Sequence, residues 1–126
     1  TSMRAALALL AEVDGFQRKL ALLGDMLELG EAEERLHREL AHDLSPAWLD
    51  ALFTYGPRAR WIADEARRLG FPEDRIFQYE EVEELVGAMR PWAGPDTLLL
   101  VKGSRGMRME TIIEALRGDG SWTFGH

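Results

Sequence analysis

The feature that most constrains the fold of this chain is the alternation of short apolar runs with segments whose apolar residues recur at helical spacing. The runs at 20–23 and 97–101 are short and apolar, which is typical of strands buried on both faces of a parallel sheet. Weaker strands are predicted at 49–54 and 75–78. Helices are predicted around these strands at 3–10, 31–44, 62–69, 82–89 and 112–116. Strands that alternate with helices predict an α/β fold of three layers, with a mainly parallel sheet covered on both sides.

The order of the elements is unusual at the start of the chain, where a helix comes before the first predicted strand. Either the sheet begins late, or a first strand of the same sheet lies upstream of Thr1. The second interpretation predicts that residues 1–126 form a single domain of a longer protein. The length of 126 residues is close to that of one domain and gives no reason to divide the chain.

Composition and charge limit the kinds of function that this domain can have. The chain has no cysteine, which excludes disulfides, thiolate metal sites and a cysteine nucleophile. No apolar run approaches the roughly 20 residues of a membrane span, and the amino terminus has no signal-peptide pattern. We therefore expect a cytoplasmic protein without a membrane partner. Acidic residues outnumber basic ones by 22 to 15, for a net charge of −7, which argues against a nucleic-acid partner.

The first candidate site is the acidic loop, residues 24–31, which follows the apolar run at 20–23. Ligands of parallel α/β sheets bind beyond the carboxyl ends of the strands, and this loop begins at such an end. Asp25 and Glu28 could accept hydrogen bonds from an amine or help to hold a magnesium ion. The alternative is that both carboxylates cap the next helix and face water, which is the more common arrangement.

The second candidate site is the basic loop, residues 102–108, which contains three basic side chains and no acidic one. Gly103 and Gly106 would let the backbone approach a ligand closely, and N–H groups ahead of a helix attract anions. Arg105 could bind a carboxylate or phosphate through two hydrogen bonds, with Lys102 as a compact charge. The alternative is a solvated basic turn that balances nearby acids. If both loops leave the same edge of the sheet, we expect them to lie side by side around one ligand.

Other residues and motifs give weaker signals. Tyr55 could flank a ring of a ligand, but an exposed tyrosine in a turn is more common. His37 is expected on a helix surface, paired with a glutamate one turn away. It is five residues from His42, so the two side chains point to different faces of the helix and cannot bind one metal ion as an i,i+4 pair. The chain has no phosphate loop, no dinucleotide-binding glycine pattern and no nucleophile elbow. The residues alone therefore favour a binding half-site for a small anionic or zwitterionic ligand over a complete active site.

Three segments in order resemble the UDP-N-acetylmuramoyl-tripeptide–D-alanyl-D-alanine ligases of the Mur ligase family. The segment LGDMLELGE at 23–31, followed by His37, is similar to one signature, and VKGSR at 101–105, followed by Met109 and Glu110, is similar to another. The opening SMRAAL at 2–7 resembles the helix after the Asn-Pro segment of that family. Together they match its carboxyl-terminal domain over essentially the whole chain.

This resemblance implies a Rossmann-like domain of a three-domain enzyme that adds D-alanyl-D-alanine to UDP-N-acetylmuramoyl-tripeptide during cytoplasmic peptidoglycan synthesis. ATP, with Mg²⁺ held mainly by the central domain, would phosphorylate the tripeptide carboxylate, and the dipeptide amine would then attack the acyl phosphate. The amino-terminal domain would hold the UDP-sugar, and this domain would close over ATP and seat the dipeptide. Its partners would be its own central and amino-terminal domains, and the isolated domain is expected to be inactive.

The resemblance also implies roles for particular side chains. Lys102, Ser104 and Arg105 would face the dipeptide carboxylate or the nucleotide phosphates. Asp25 and Glu28 would lie near the dipeptide amine or order their loop. Three further residues are expected to support the two loops: Gly24, His37 and Gly103.

Two alternatives compete with this interpretation. Asp25, Thr54 and Lys102 all follow predicted strands, as in a receiver-like signalling module, although the adjacent acidic pair of such modules is missing. A covalent phosphate on Asp25 after treatment with acetyl phosphate would favour that alternative. The other is the carboxyl-terminal domain of a folylpolyglutamate-type ligase, against which the motif at 102–105 argues.

Overall fold

A computed structural model describes residues 2–123 and contains a four-stranded sheet whose strand pairs are all parallel. The strands lie in the order β3-β2-β1-β4. In chain order the elements are α1 (Met3–Glu12), β1 (Arg18–Gly24), α2 (Glu33–Ala41), β2 (Ala51–Tyr55), α3 (Arg60–Arg68), β3 (Ile76–Tyr79), α4 (Val82–Met89), β4 (Thr97–Lys102) and α5 (Met109–Asp119). This architecture confirms the predicted α/β class and the four predicted strands. Within residues 2–123, no helix combines the length and apolarity needed to cross a membrane.

Element boundaries differ from the predicted ones where short turns intervene. The helix predicted from residue 31 begins at Glu33, because Gly30–Ala32 form a separate 3-10 turn. The strand predicted from residue 49 begins at Ala51, because the N–H of Leu49 donates to the carbonyl of Ser45 in a turn. At the start of the chain, the Ser2 hydroxyl accepts a hydrogen bond from the N–H of Ala5 and caps α1.

The core has two parts, one on each face of the sheet. Leu23 and other side chains on one face pack against α1, α2 and α3, and Leu22 and others on the opposite face pack against α4 and α5. Residues 20–23 of β1 are all inaccessible to solvent, because a central strand of a three-layer domain is covered on both faces. Each large apolar side chain buried in this way contributes about 1.5–3 kcal/mol to the stability of the fold.

The direction of the chain across the sheet determines which face each helix covers. The chain steps from β1 to β2 to β3 with α2 and α3 on the first face, and it returns to β4 with α4 on the second face. The step from β3 to β4 runs in the opposite direction across the sheet, and its helix α4 covers the opposite face. Because both are reversed, all three crossovers have the same hand, which is right-handed in nearly all parallel sheets. This route places β4 beside β1 and leaves β3 and β4 as the outer strands of the described sheet.

A charged cluster stabilises the contact between α2 and α3, away from the loops of interest. The carboxylate of Glu65, only 6% exposed, binds Arg68 at 2.6 Å, His42 at 3.0 Å and Arg38 at 3.4 Å. The hydrogen bond from Arg68, reinforced by His42, lowers the pKa of Glu65 from its usual 4.5 to about 2. Glu65 therefore stabilises the fold as an anion.

We expect Glu65→Gln to weaken the pH dependence of stability in acid. Because the pKa of Glu65 is lower in the folded protein than in the unfolded chain, its stabilising effect is complete above pH 4.5 and is lost as pH falls towards 2. Thermal unfolding midpoints at pH 5 and pH 3 should therefore differ less in the variant than in the wild type. An equal difference in both proteins would contradict this assignment.

Candidate functional site at the carboxyl edge of β1 and β4

The acidic and basic loops lie against each other at the carboxyl ends of β1 and β4. The two strands are neighbours, with Leu23 opposite Lys102 in the parallel register. The N–H of Ser104 donates to the carbonyl of Asp25 at 3.0 Å, and the N–H of Leu27 donates to Ser104 Oγ at 2.7 Å. The expectation that both loops leave one edge side by side is confirmed. One main-chain hydrogen bond and one hydrogen bond to the Ser104 side chain thus join the loops without a ligand.

Two glycines allow the loops to approach this closely. A Cβ on Gly103 would lie 3.2 Å from Cα of Gly24 and 3.0 Å from Cγ of Met109. A Cβ on Gly24 would lie 2.7 Å from Sδ of Met109, the buried first residue of α5. Any side chain at Gly103 would therefore push the two backbones apart. The close contacts explain why glycine is required at Gly24 and Gly103, the two glycines that were predicted to support the loops.

Asp25 is almost completely buried, with 1% of its surface exposed, and its carboxylate is engaged by the protein. Oδ1 accepts a hydrogen bond from the N–H of Ala59 at 2.7 Å, and Oδ2 lies 3.5 Å from Nη1 of Arg58. Ala59 is the N-cap residue of α3, so Asp25 caps a helix 34 residues further along the chain. The alternative in which it caps the next helix and faces water is wrong, since α2 has no side-chain cap at Ala32.

Gly56 makes room for this buried carboxylate, and it was not among the predicted site residues. Its φ of +112° favours glycine, and a Cβ there would overlap the carboxylate of Asp25. The signal available in the sequence was the Gly56-Pro57 break after a strand, which indicates a turn but not its partner. Arg58, which binds Glu33 at 2.8 Å, was missed for the same reason.

His37 is buried and bridges α2 to the acidic loop, so its predicted place on the helix surface is wrong. Its Nδ1 lies 2.6 Å from the carbonyl oxygen of Glu33, which can only accept, and its Nε2 accepts the N–H of Met26 at 2.9 Å. This hydrogen-bond network assigns a neutral ring with the proton on Nδ1. The ring also packs against Trp61, with centroids 5.7 Å apart.

We expect His37→Leu to loosen the acidic loop while leaving the sheet intact. The substitution removes the acceptor of the Met26 N–H and leaves that donor unpaired, at a cost of about 1–3 kcal/mol. Hydrogen exchange should become faster at the Met26 amide, with the Leu22 amide in β1 as an internal reference. Unchanged exchange at Met26 would show that the loop does not depend on this histidine.

A cavity of about 500 Å³ opens between the two loops, a size typical of small-molecule sites. Five residues from the two loops line it: Leu27, Glu28, Ser104, Arg105 and Gly106. The side chains of Glu28 and Arg105 are exposed, so both can reach a ligand. Glu28 has a φ of +64°, a conformation that is costly outside glycine and is often found at functional sites.

The basic loop carries positive charge that the protein does not neutralise. Within residues 2–123, the side chains of Lys102, Arg105 and Arg108 form no ion pair and no hydrogen bond to a protein acceptor, unlike the other basic side chains of this part of the chain. Ser104 Oγ accepts from Leu27, and its own hydrogen has no protein acceptor among these residues. Lys102 ends β4 and lines a neighbouring groove rather than the cavity.

Other predicted candidates lie outside the cavity lining. Tyr55 is the last residue of β2 and is half-buried against the α4–α5 side of the core, so its expected exposure in a turn is wrong. Thr54 is buried and donates a hydrogen bond to Gln78. Since Asp25 is also buried and engaged, the receiver-like alternative lacks an accessible aspartate. Within residues 2–123, no three potential ligands among His, Cys, Asp and Glu are grouped to hold a metal ion.

The fold and the cavity define an α/β domain that presents free cations, and the exposed carboxylate of Glu28, around a cavity at the carboxyl edge of a parallel sheet. The family model described as "Mur ligase, glutamate ligase domain" matches residues 1–105. The chain therefore belongs to this family, as the resemblance of its motifs predicted.

Curated relatives and solved structures agree with this membership. The chain is 41% identical over 116 residues to the UDP-N-acetylmuramoyl-tripeptide–D-alanyl-D-alanine ligase of Bacillus subtilis, which covers 92% of the chain and 25% of the relative. It is 33% identical over 113 residues to the enzyme of the same name from Rickettsia prowazekii, covering 90% of the chain and 24% of the relative. The chain thus spans about a quarter of the length of these relatives.

Two crystal structures have the same fold over most of this chain. MurF from Acinetobacter baumannii superposes with a TM-score of 0.77 at 28% identity, covering 93% of this chain and 25% of that one. MurF ligase from Thermotoga maritima, in complex with ADP, superposes with a TM-score of 0.69 at 25% identity, covering 90% and 24%.

Proposed function

We propose that residues 1–126 are the carboxyl-terminal domain of an ATP-dependent, cytoplasmic ligase that adds D-alanyl-D-alanine to UDP-N-acetylmuramoyl-tripeptide. Two relatives of this name, 41% and 33% identical to the chain, support the proposal. Its partners would be the central and amino-terminal domains of the same protein, together with the two substrates. The domain would close over ATP and seat the dipeptide, and on its own it would be inactive.

The observation that carries this proposal is the pairing of free groups around the cavity. Arg105 and Ser104 offer a guanidinium and a hydroxyl hydrogen on one loop, and Glu28 offers a carboxylate on the other. A dipeptide zwitterion presents a carboxylate at one end and an amine at the other, which matches these two sides. We assign Arg105 and Ser104 to the dipeptide carboxylate through charge-assisted hydrogen bonds, and Glu28 to the amine.

Four of the five remaining predicted residues, all except Lys102, would act by holding the loops rather than by touching the dipeptide. Asp25 anchors the acidic loop to the start of α3, and His37 anchors it to α2. Gly24 and Gly103 let the two loops meet. A site held from three directions is preorganised, so little binding energy is spent on ordering it.

The unpaired positive side chains of the basic loop could also bind the negatively charged phosphates of ATP. ATP would supply the phosphoryl group that activates the tripeptide carboxylate. Lys102, at the end of β4 outside the cavity, is the side chain that we assign to these phosphates. Mg²⁺ would be held mainly by the central domain.

The contribution of this chain to the reaction would be positioning and the exclusion of water. Fixing the dipeptide amine next to an acyl phosphate removes much of the entropic barrier to their reaction. Closure of the domain would also keep water away from that acyl phosphate, which would otherwise hydrolyse. The ammonium group of the zwitterion is not nucleophilic and must lose a proton before it attacks the acyl phosphate, and Glu28, as the carboxylate that we assign to the amine, would accept that proton.

The test is substrate-dependent ADP formation by the full-length protein that contains this domain. We expect ADP release only when UDP-N-acetylmuramoyl-tripeptide and D-alanyl-D-alanine are both present. D-alanine, L-alanyl-L-alanine, and folate with glutamate serve as matched substrate controls. Release with folate and glutamate would favour the folylpolyglutamate-type alternative, and no release with the dipeptide would overturn the proposal.

A further inference from the structure

The cavity between the acidic and basic loops has one apolar side chain on its wall within the described residues, that of Leu27. Four other residues complete the lining: Glu28, Ser104, Arg105 and Gly106. Leu27 is half-buried and belongs to neither part of the described core, whereas its neighbour Met26 packs against the part formed with α1, α2 and α3. The apolar surface that Leu27 leaves exposed in the cavity is therefore available to an apolar group of a ligand.

Leu27 is held against the basic loop both by its backbone and by the end of its side chain. Its N–H donates to Ser104 Oγ at 2.7 Å. A Cβ on Gly106 would lie 2.7 Å from Cδ1 of Leu27, so the leucine occupies the space that a side chain at Gly106 would need. Ser104 and Gly106 flank Arg105 in the sequence. Leu27 thus lies on the side of the cavity that the basic loop forms.

The orientation of the dipeptide determines which of its side chains meets Leu27. The proposed function assigns the dipeptide carboxylate to Ser104 and Arg105, and the amine to Glu28. In any dipeptide the carboxylate and the carboxyl-terminal side chain are bonded to the same carbon atom. A dipeptide whose carboxylate is bound by Ser104 and Arg105 therefore brings its carboxyl-terminal side chain next to Leu27.

We propose that Leu27, supported by Gly106, is a specificity-determining residue that limits the size of the carboxyl-terminal side chain of the dipeptide. The inference rests on the proposed function and adds the residue that selects among dipeptides. A methyl group would cover the exposed surface of Leu27. A branched side chain would overlap it, because the hydrogen bond to Ser104 and the contact with Gly106 keep Leu27 from moving back. One methylene in an apolar pocket changes kcat/KM by about 10–200-fold, and we expect the lower end because Leu27 covers one side of the group.

Two isomeric dipeptides separate the carboxyl-terminal position from the amino-terminal one. D-alanyl-D-valine and D-valyl-D-alanine have the same composition and charge and differ only in which residue is enlarged. Leu27→Ala removes slightly more volume than valine adds to alanine. In the full-length protein with this substitution, we expect kcat/KM for D-alanyl-D-valine to rise at least about tenfold relative to D-alanyl-D-alanine, with no such rise for D-valyl-D-alanine. An unchanged ratio for D-alanyl-D-valine, or an equal rise for both isomers, would overturn the proposal.

Leu29→Ala is the matched control. Leu29 is also a half-buried leucine of the acidic loop, but it lines a separate apolar groove beside α1 and α2. Any loosening of the loop by this substitution would change kcat/KM for every dipeptide alike, so we expect the ratio of D-alanyl-D-valine to D-alanyl-D-alanine to stay at the wild-type value. A rise in Leu29→Ala equal to that in Leu27→Ala would overturn the proposal, because it would trace the change to loosening of the loop.

Gly106→Ala tests the support of Leu27 in the opposite direction. The φ of Gly106 is not positive, and a new Cβ there would meet the end of the flexible Leu27 side chain, so the fold should tolerate alanine. The added methyl would push Leu27 towards the ligand and narrow the cavity. We expect kcat/KM for D-alanyl-D-alanine to fall about tenfold relative to D-alanyl-glycine, with the thermal unfolding midpoint nearly unchanged. A constant ratio in the folded variant would contradict the contact on which the proposal depends.

The wild-type protein separates the failure of this inference from the failure of the proposed function. Turnover of D-alanyl-D-alanine by the wild type, together with ratios that Leu27→Ala does not change, would support the function and overturn the role of Leu27. No turnover of D-alanyl-D-alanine by the wild type would overturn both.

Discussion

Arg105→Ala in the full-length protein is expected to lower kcat/KM for D-alanyl-D-alanine by about 100-fold, with little change in stability. The side chain is exposed at the cavity and has no partner among residues 2–123, so its removal should leave no buried group unpaired. Loss of a hydrogen bond to a charged group typically costs about 1.5–3 kcal/mol. Steady-state kinetics together with thermal unfolding measures both quantities.

The way in which the loss divides between KM and kcat would identify the group that Arg105 holds. A higher KM for the dipeptide with unchanged kcat indicates binding of the dipeptide carboxylate, and a lower kcat indicates a contact made in the transition state. Arg35→Ala is the matched control, because Arg35 is also exposed but pairs with Glu39 on the surface of α2. Unchanged kinetics in Arg105→Ala, or an equal loss in Arg35→Ala, would remove Arg105 from the site.

Asp25→Ala is expected to lower the free energy of unfolding by about 2–3 kcal/mol, because it leaves the buried N–H of Ala59 without an acceptor and removes a carboxylate beside Arg58. Urea unfolding measures the change. Asp14→Ala removes an exposed carboxylate and should stay within about 0.5 kcal/mol of the wild type.

Asp25→Asn separates a structural role from contact with the ligand. The amide oxygen can still accept from Ala59, so we expect a smaller loss of stability and substantial remaining activity. Abolished activity in a fully stable Asp25→Asn protein would instead place the carboxylate against the dipeptide amine. That outcome would contradict the anchoring role.

The strands were predictable because each apolar run is short and ends at a turn signal, and β1 is buried on both faces. The order of the strands was not predictable, since local pattern does not say that β4 returns to lie beside β1. The position of His37 could have been inferred, because Leu40 lies three residues later on the same face of α2 and is buried. Glu33 and Glu34, one turn before His37, favoured the surface interpretation instead.

The site was predictable only where its chemistry lies within one loop. Lys102 and Arg105 stand out as cations next to Gly103 and Gly106 in an acidic chain, and the loops were expected to meet. The anchoring of Asp25 depends on Ala59, Arg58 and Gly56, which approach it only in the folded protein. Sequence spacing carries no information about such contacts, and this explains why Asp25 was expected to face water or a ligand.

The two hydrogen bonds that join Ser104 to the acidic loop also limit how this domain can evolve. A change of backbone in either loop would disturb the other, so insertions and deletions there should be poorly tolerated. New ligand preferences would arise more readily from side chains on the cavity wall, at Leu27, Glu28 and Arg105, than from remodelled loops. Libraries that vary these three positions with the loop lengths fixed are the economical route to altered selectivity.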